Sequence, residues 1–247
     1  MIRQVLLVMS FATAVVNAST LDVGLVAHNT FNGNADDSSG NGRNLTFRVP
    51  GHVSYSYDST LGRQVLNLTG GNRADYFSSG PSLPESQMTE YTYGLWINPT
   101  NLGRNWPEWT YLLVGGWANE VETLRYSENT ALHGYTGFGG PFSEFSANKW
   151  QHITVTKTGS VWNYYYNGFL NYTKNNGSPA VTFDKNFYYL FNSGGYQYEL
   201  NGQVSDLVIY DRALTSSEVA QLVPEPSAFS LLAVGLGGLA MMRRRRS

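Results

Sequence analysis

Three tryptophans, Trp106, Trp109 and Trp117, fall within residues 105–117 (NWPEWTYLLVGGW), beside Pro107 and two glycines. Aromatic faces held on loops are how proteins grip sugar rings, because a ring sugar pairs an apolar face with polar edges. Trp106 and Trp109 are therefore the candidate carbohydrate-binding residues; the alternative is that such large side chains fill a core or cover a sheet edge. Catalysis would need positioned acids or an activated nucleophile. The nearest acid pair is Glu120 and Glu122, which on a strand would share a face and could couple as acid and base for glycoside hydrolysis. The same spacing is routine on a solvated strand. The four histidines, His28, His52, His133 and His152, are scattered without metal-ligand spacing. No nucleophile-elbow motif accompanies the serines, and no glycine-rich loop resembles a phosphate cradle. These residues point to binding, and no catalytic residue is assigned.

The two ends of the chain carry a different message. Val223-Pro224-Glu225-Pro226 is followed by an uncharged apolar run over 228–242 and then by Arg243, Arg244, Arg245 and Arg246. That run is shorter than the roughly 20 residues of a comfortable membrane span, yet long enough to dip into a bilayer. The arginines should stay on the cytoplasmic side. One reading is a short tail-anchor helix. The order of the three features resembles, more specifically, the PEP-CTERM sorting signal of Gram-negative bacteria. This resemblance implies recognition by an exosortase-type membrane protease, transient membrane association through the C-terminal helix, and cleavage near the Pro-Glu-Pro. It further implies export through the inner membrane, ending in the extracellular matrix or on the cell surface. At the other end, Arg3, the apolar stretch Val5–Val16 and the small-residue site Val16-Asn17-Ala18 read as a secretory signal peptide cleaved after Ala18. The chain thus divides into a signal peptide (1–18), one domain (19–222) and a sorting tail (223–247).

Processing changes the charge. The full chain has 16 Lys+Arg and 18 Asp+Glu; residues 19–222 keep 11 and 17 of these, a net charge of −6. Such a surface repels a phosphate backbone, which excludes nucleic acid as a partner. The absence of cysteine excludes disulfides, zinc ribbons and thiol chemistry.

Strands must position whatever the domain binds with. Aromatic residues make up 14% of the chain and there are 26 glycines, a composition that favours pleated, turn-rich structure. In Tyr91–Pro99, Tyr91, Tyr93, Leu95 and Ile97 share one face while Trp96 lies on the other, so both faces are covered. Gln151–Lys157 alternates again, with Ile153 and Val155 inward. Thr158-Gly159-Ser160 turns the chain into Val161–Tyr166, and Asn167-Gly168 then supplies a type I′ hairpin turn into Phe169–Tyr172. Further strands are expected at Val65–Leu68, Tyr111–Val114, Tyr188–Phe191 and Val204–Tyr210. Thr215-Ser216-Ser217-Glu218 fits a capping box that starts one short helix ending before Pro224. The expected fold is all-β, a two-sheet antiparallel sandwich or jelly roll.

Three segments resemble the laminin G-like, concanavalin A-like jelly-roll family in that family's order. They are Gly24–Ala27 with Phe31-Asn32-Gly33 and Asp37–Gly42; Lys149–Thr156 leading to Tyr166-Asn167-Gly168; and Asn201–Thr215 with Glu218-Val219. The resemblance implies that N- and C-terminal strands lie side by side, bringing the Asp37–Asn41 loop close to Asp206. It also implies a structural calcium ion in this region, held by Asp37, Asn41 and Asp206 through hard side-chain oxygens. The alternative is an Asx-rich turn in which Asp37 and Asn41 bond their own backbone. The glutamate–aspartate–glutamate pattern of catalytic jelly-roll glucanases is absent. The expectation is a non-catalytic exported module that binds carbohydrate, in particular exopolysaccharide. A structural or adhesive matrix protein without a sugar site, and a polysaccharide-acting hydrolase or lyase, are the alternatives.

Overall fold

The structure, a computed structural model, describes residues 20–47, 51, 53–69, 76–78, 87–100, 110–114, 123–126, 132–133, 145–175, 177, 181–185, 189–190 and 200–223. A short 3-10 turn (Thr20–Asp22) is followed by β1 (Leu25–Asn29), β2 (Leu45–Phe47), β3 (Val53–Asp58), β4 (Arg63–Thr69) and β5 (Tyr76–Ser78). Next come β6 (Gln87–Met88), β7 (Tyr91–Pro99), β8 (Thr110–Val114), β9 (Thr123–Tyr126) and β10 (Leu132–His133). The chain continues through β11 (Gln151–Thr158), β12 (Val161–Tyr166), β13 (Phe169–Asn175), β14 (Phe183–Asp184), β15 (Tyr189–Leu190) and β16 (Asn201–Tyr210) to α1 (Ser216–Gln221). The all-β sandwich read from the pattern is what forms, and among the described residues every strand pairing is antiparallel.

The larger sheet has eight strands in the order β13-β12-β11-β7-β16-β4-β3, with β1 also on β16. A six-stranded sheet runs β10-β9-β8-β15-β5-β2, and β14 pairs with β6. Period-two alternation sends Tyr91, Tyr93, Leu95, Ile97, Ile153, Val155 and Val204 into the main core. Within it Phe183 packs its ring 5.6 Å from Tyr91 and 6.0 Å from Tyr93. Lys157 is fully buried in this layer, and its ammonium is compensated: it donates to the Thr89 carbonyl at 2.6 Å and lies 5.1 Å from the centre of the Trp162 ring. The hairpin turn is as expected, with Asn167 at φ 46° and Gly168 at φ 83°.

The face of the large sheet that points away from this core holds a second, smaller cluster. Tyr165, Val208, Tyr210, Leu214 and Val219 pack there with Leu21, Leu25 and Leu222. The helix α1 supplies Val219 and is fixed by a complete capping box between Thr215 and Glu218. Arg212 clamps the Glu218 carboxylate through Nη1 at 3.0 Å and Nη2 at 2.8 Å. This cluster covers one end of the outer face.

β16 changes partners half-way along. Asn201–Val204 pair with β4, whereas Leu207–Tyr210 pair with β1. The change coincides with an irregularity between Ser205 and Val208 in the register against β7, where Asp206 takes φ 47°. A bulge of this kind re-aims a side chain and ends a pairing.

Candidate functional site

Beside the bulge the outer face forms a pocket of about 320 Å³ lined by His28, Arg63, Trp96, His152 and Asp206, with an apolar wall that includes Leu25, Val208 and Leu222. Each of these five side chains comes from a different strand, and Asp22, Tyr210 and Gln221 complete the polar lining. His28 stands on β1, Arg63 opens β4, Trp96 and His152 face each other across β7 and β11, and Asp206 is the bulge residue of β16. The left-handed backbone at Asp206 sends its carboxylate between two bases: Oδ1 lies 3.3 Å from His28 Nε2, and Oδ2 is paired with Arg63 Nη2. The bulge is tied to the loop after β1 through Asp206 N–H and Ser205 Oγ, both donating to the Thr30 carbonyl at 3.4 and 3.3 Å. Arg63 Nε is buried and has no hydrogen-bond partner among the described residues.

His152 forms the floor. It is buried, its Nδ1 lies 3.2 Å from Thr154 Oγ1, and its ring meets Trp96 edge-on with 5.2 Å between centres. Burial pushes the imidazole down to about 3, against the opposing pull of the Asp206 charge, so the ring is neutral at physiological pH. Gly94 makes room for it: a Cβ there would lie 3.0 Å from Thr154 Oγ1 and 3.2 Å from His152 Cε1. Trp96 is partly exposed above this floor.

A row of amides extends the site away from α1. Asn98, two residues beyond Trp96 on the same face, donates to Gln203 Oε1 at 3.1 Å. Gln203 donates to Asn67 Oδ1 at 3.0 Å, and Asn67 donates to Ser56 Oγ at 2.9 Å. Three adjacent strands thus present planar amide groups, with the Ser56 hydroxyl on a fourth, next to an indole and a carboxylate–guanidinium pair. That combination is suited to a small, neutral, hydroxyl-rich ligand with one apolar face.

Of the expected site residues, Asp206 lines this pocket. Trp106 and Trp109 lie outside the described residues, as do Glu120 and Glu122, the 1–18 segment, Pro224, Glu225, Pro226 and Arg243–Arg246. Val223 is described and follows directly on α1. Asp37, Asn41 and Asp206 are close in space but do not converge. Asp37 bridges to Asn29 on one edge of β1, while β16 pairs along the other. The Asp37 carboxylate is filled by four donors, each at 2.9 Å: His28 N–H and Ser39 N–H on Oδ1, Ser39 Oγ–H and Arg43 N–H on Oδ2. Burial pushes this carboxyl up, but those hydrogen bonds outweigh it and hold its pKa below the ordinary value. Asn41 donates Nδ2 to the carbonyls of Leu25 and Val26 at 2.8 and 3.1 Å. Among the described residues no group of three or more histidine or acidic side chains is placed to hold a metal. Calcium needs about six to eight free oxygens; here one carboxylate is saturated by N–H and O–H donors and the other is paired with arginine, so this donor set as arranged does not fit the ion. The Asx-rich turn describes what Asp37 does.

The pocket residues His28, Arg63 and Trp96 had no spacing that groups them. One signal was readable: Val204 and Leu207 both belong to the core although three positions apart, and an odd step between inward residues marks an inserted residue.

Comparisons with known proteins follow the same lines. Residues 222–246 match the PEP-CTERM protein-sorting motif, which implies processing by an exosortase, a membrane protein, and export to the cell surface. Among curated proteins there is no sequence match. Domain 4 of AbnA, a GH43 extracellular arabinanase from Geobacillus stearothermophilus solved in complex with arabinotriose, is similar in structure. It has a TM-score of 0.64 and 22% identity over 81% of this chain and 98% of that one. The binding domain of Paraclostridial Mosquitocidal Protein 1 gives a TM-score of 0.62 and 20% identity over 83% of this chain and 52% of that one. The botulinum neurotoxin serotype D ligand binding domain, in complex with N-acetylneuraminic acid, gives 0.60 and 15% over 82% and 51%. The chain thus spans about half of each toxin domain, and at these identities the likeness is one of fold. The sequence itself goes further, since residues 69–220 match the family model: the chain belongs to the concanavalin A-like lectin/glucanases superfamily.

Proposed function

We propose that this exported protein is a non-catalytic carbohydrate-binding module, with its sugar site in the outer-face pocket of the large sheet. The observation that carries this reading is the partly exposed Trp96 ring standing beside the Asp206–Arg63–His28 group and leading into the Asn98–Gln203–Asn67 amide row. The indole supplies a stacking face, and the planar amides and the carboxylate supply paired partners for neighbouring hydroxyls. A volume near 320 Å³ suits one or two sugar rings of a longer chain. The solved structures of similar fold include two sugar complexes, on arabinotriose and on N-acetylneuraminic acid, which supports the same class of ligand.

Glycoside hydrolysis needs two carboxyl groups about 5–10 Å apart across the scissile bond. In the pocket the Asp206 carboxylate is held in an ion pair with Arg63, and His152 is neutral and buried beneath Trp96, so neither is presented as a general acid; Asp22 is the other carboxylate of the lining. The test is a glycan array probed with the purified chain and with Trp96→Ala. Binding to one class of oligosaccharide, weakened about two- to tenfold in the variant, is expected, since a stacked aromatic contributes roughly 0.5–1.5 kcal/mol. Silence of the wild-type chain across the array removes the carbohydrate reading and leaves a structural or adhesive matrix protein. Release of new reducing ends from a bound polysaccharide replaces it with an enzyme.

A further inference from the structure

The tail of this protein leaves the domain beside the tip of the β12–β13 hairpin. A Cβ placed on Gly168 would lie 3.5 Å from Val223 Cβ and 3.5 Å from Ala220 Cα, so α1 and the hairpin tip are in contact where the chain exits. Immediately after that tip, Phe169 is 73% and Leu170 52% exposed. They open β13, the strand at the end of the eight-stranded order. Edge strands are usually blunted with charge or proline, and large apolar side chains held in water on such an edge call for a partner.

The sequence beyond Val223 says which partner. Only Pro224, Glu225, Pro226 and Ser227 separate it from the uncharged run 228–242. Four residues reach at most about 14 Å when fully extended. A domain tied this closely to an apolar segment that enters a bilayer must lie against the bilayer, and on the side that carries Val223. Lys149, exposed just before β11 at the same end of the sheet, adds a cation suited to anionic headgroups.

We infer that Phe169 and Leu170 are a membrane-docking tip. While the tail is attached, they insert into the interfacial zone of the lipid surface and fix the pose in which residues 223–226 are presented to the membrane-borne processing partner. This depends on the tail entering the bilayer and is independent of the sugar site.

The chain has no cysteine, so Phe169→Cys and Leu170→Cys each create a single attachment point for an environment-sensitive nitrobenzoxadiazole dye. Tyr57→Cys, at a residue 69% exposed on β3 at the opposite end of the sheet order, is the control. The full chain is reconstituted into phosphatidylcholine/phosphatidylglycerol vesicles and quenched with aqueous iodide. The dye at 169 or 170 should shift to the blue and be quenched about threefold less than at 57, as expected for apolar groups seated about 5–10 Å into the interface. Removal of residues 224–247 should return it to water. Equal quenching at 169 and 57 on vesicles overturns the inference. So does shielding at 169 that persists without lipid and grows with protein concentration, which would assign the edge to a second copy of the chain.

Discussion

The Asp37 carboxylate shows how a single residue can carry a loop that a cation was expected to hold. Its two oxygens accept from His28, Ser39 and Arg43, gathering residues of β1 and of the 38–43 turn around one negative charge. Hydrogen bonds to a charged acceptor are worth about 1.5–3 kcal/mol each, and losing the acceptor leaves several part-buried donors unpaired. Asp37→Ala should therefore lower stability by roughly 2–4 kcal/mol, read as a reduced denaturant midpoint. The melting temperature of the unaltered chain should be the same with and without EDTA. A fall of more than a few degrees on chelation would restore the calcium ion to this region. The residue types here were legible in the sequence, since an Asp-Ser-Ser-Gly-Asn-Gly run announces both chemistries. What the sequence could not give was the count of donors converging on Asp37, because one of them, the His28 amide, comes from a strand nine residues away.

At the scale of elements, alternation and turn chemistry were enough to read the large sheet. Tyr91–Pro99, Gln151–Thr158, the Asn167-Gly168 hairpin and the Thr215 capping box all form as their local patterns dictate. The pocket was not readable because His28, Arg63, Trp96, His152 and Asp206 belong to five strands, and pairing order is a long-range property. The bulge at Asp206 decides it, and that depends on β16 exchanging β4 for β1 midway. The same element scale sets the response to acid. Arg212 beside Glu218, with help from the Thr215 cap, holds its carboxyl down at about 2 against an ordinary 4.5. A depressed carboxylate contributes stability that is present above pH 4.5 and lost as pH falls from there through about 2. His152, buried neutral at about 3 against 6.5, acts in the same direction over a higher window, since the unfolded imidazole takes up a proton first. Melting temperature should thus decline from pH 6.5 downward and more steeply below 4.5. Glu218→Gln should cost roughly 1–2 kcal/mol at neutral pH and flatten only the lower part of the profile. An unchanged profile in the variant would show that the helix cap does not contribute.

For the whole molecule, topology gathers the working parts at one place. β1 and β16 pair, so the 3-10 turn at Thr20–Asp22 and the end of α1 at Gln221 and Leu222 both border the pocket. The boundaries expected for export and for sorting therefore lie close to the site proposed to bind sugar. Charge distinguishes the states of this protein: the four tail arginines offset a domain of net charge −6. Within the pocket Arg63 is already matched by Asp206, so among the described residues no free cation there draws a polyanion inward. Binding of a neutral oligosaccharide by residues 19–222 should then be nearly indifferent to salt, changing less than about twofold between about 50 and 500 mM NaCl. Any affinity for an acidic polysaccharide should rise with salt, because screening relieves repulsion from an acidic surface before it weakens short hydrogen bonds. Titration calorimetry with neutral and uronate oligosaccharides at the two ionic strengths reads the sign directly. Affinity for the uronate that falls steeply with added salt would mean that Arg63 or His28 is released from Asp206 on binding, and would make the site an anion receptor instead.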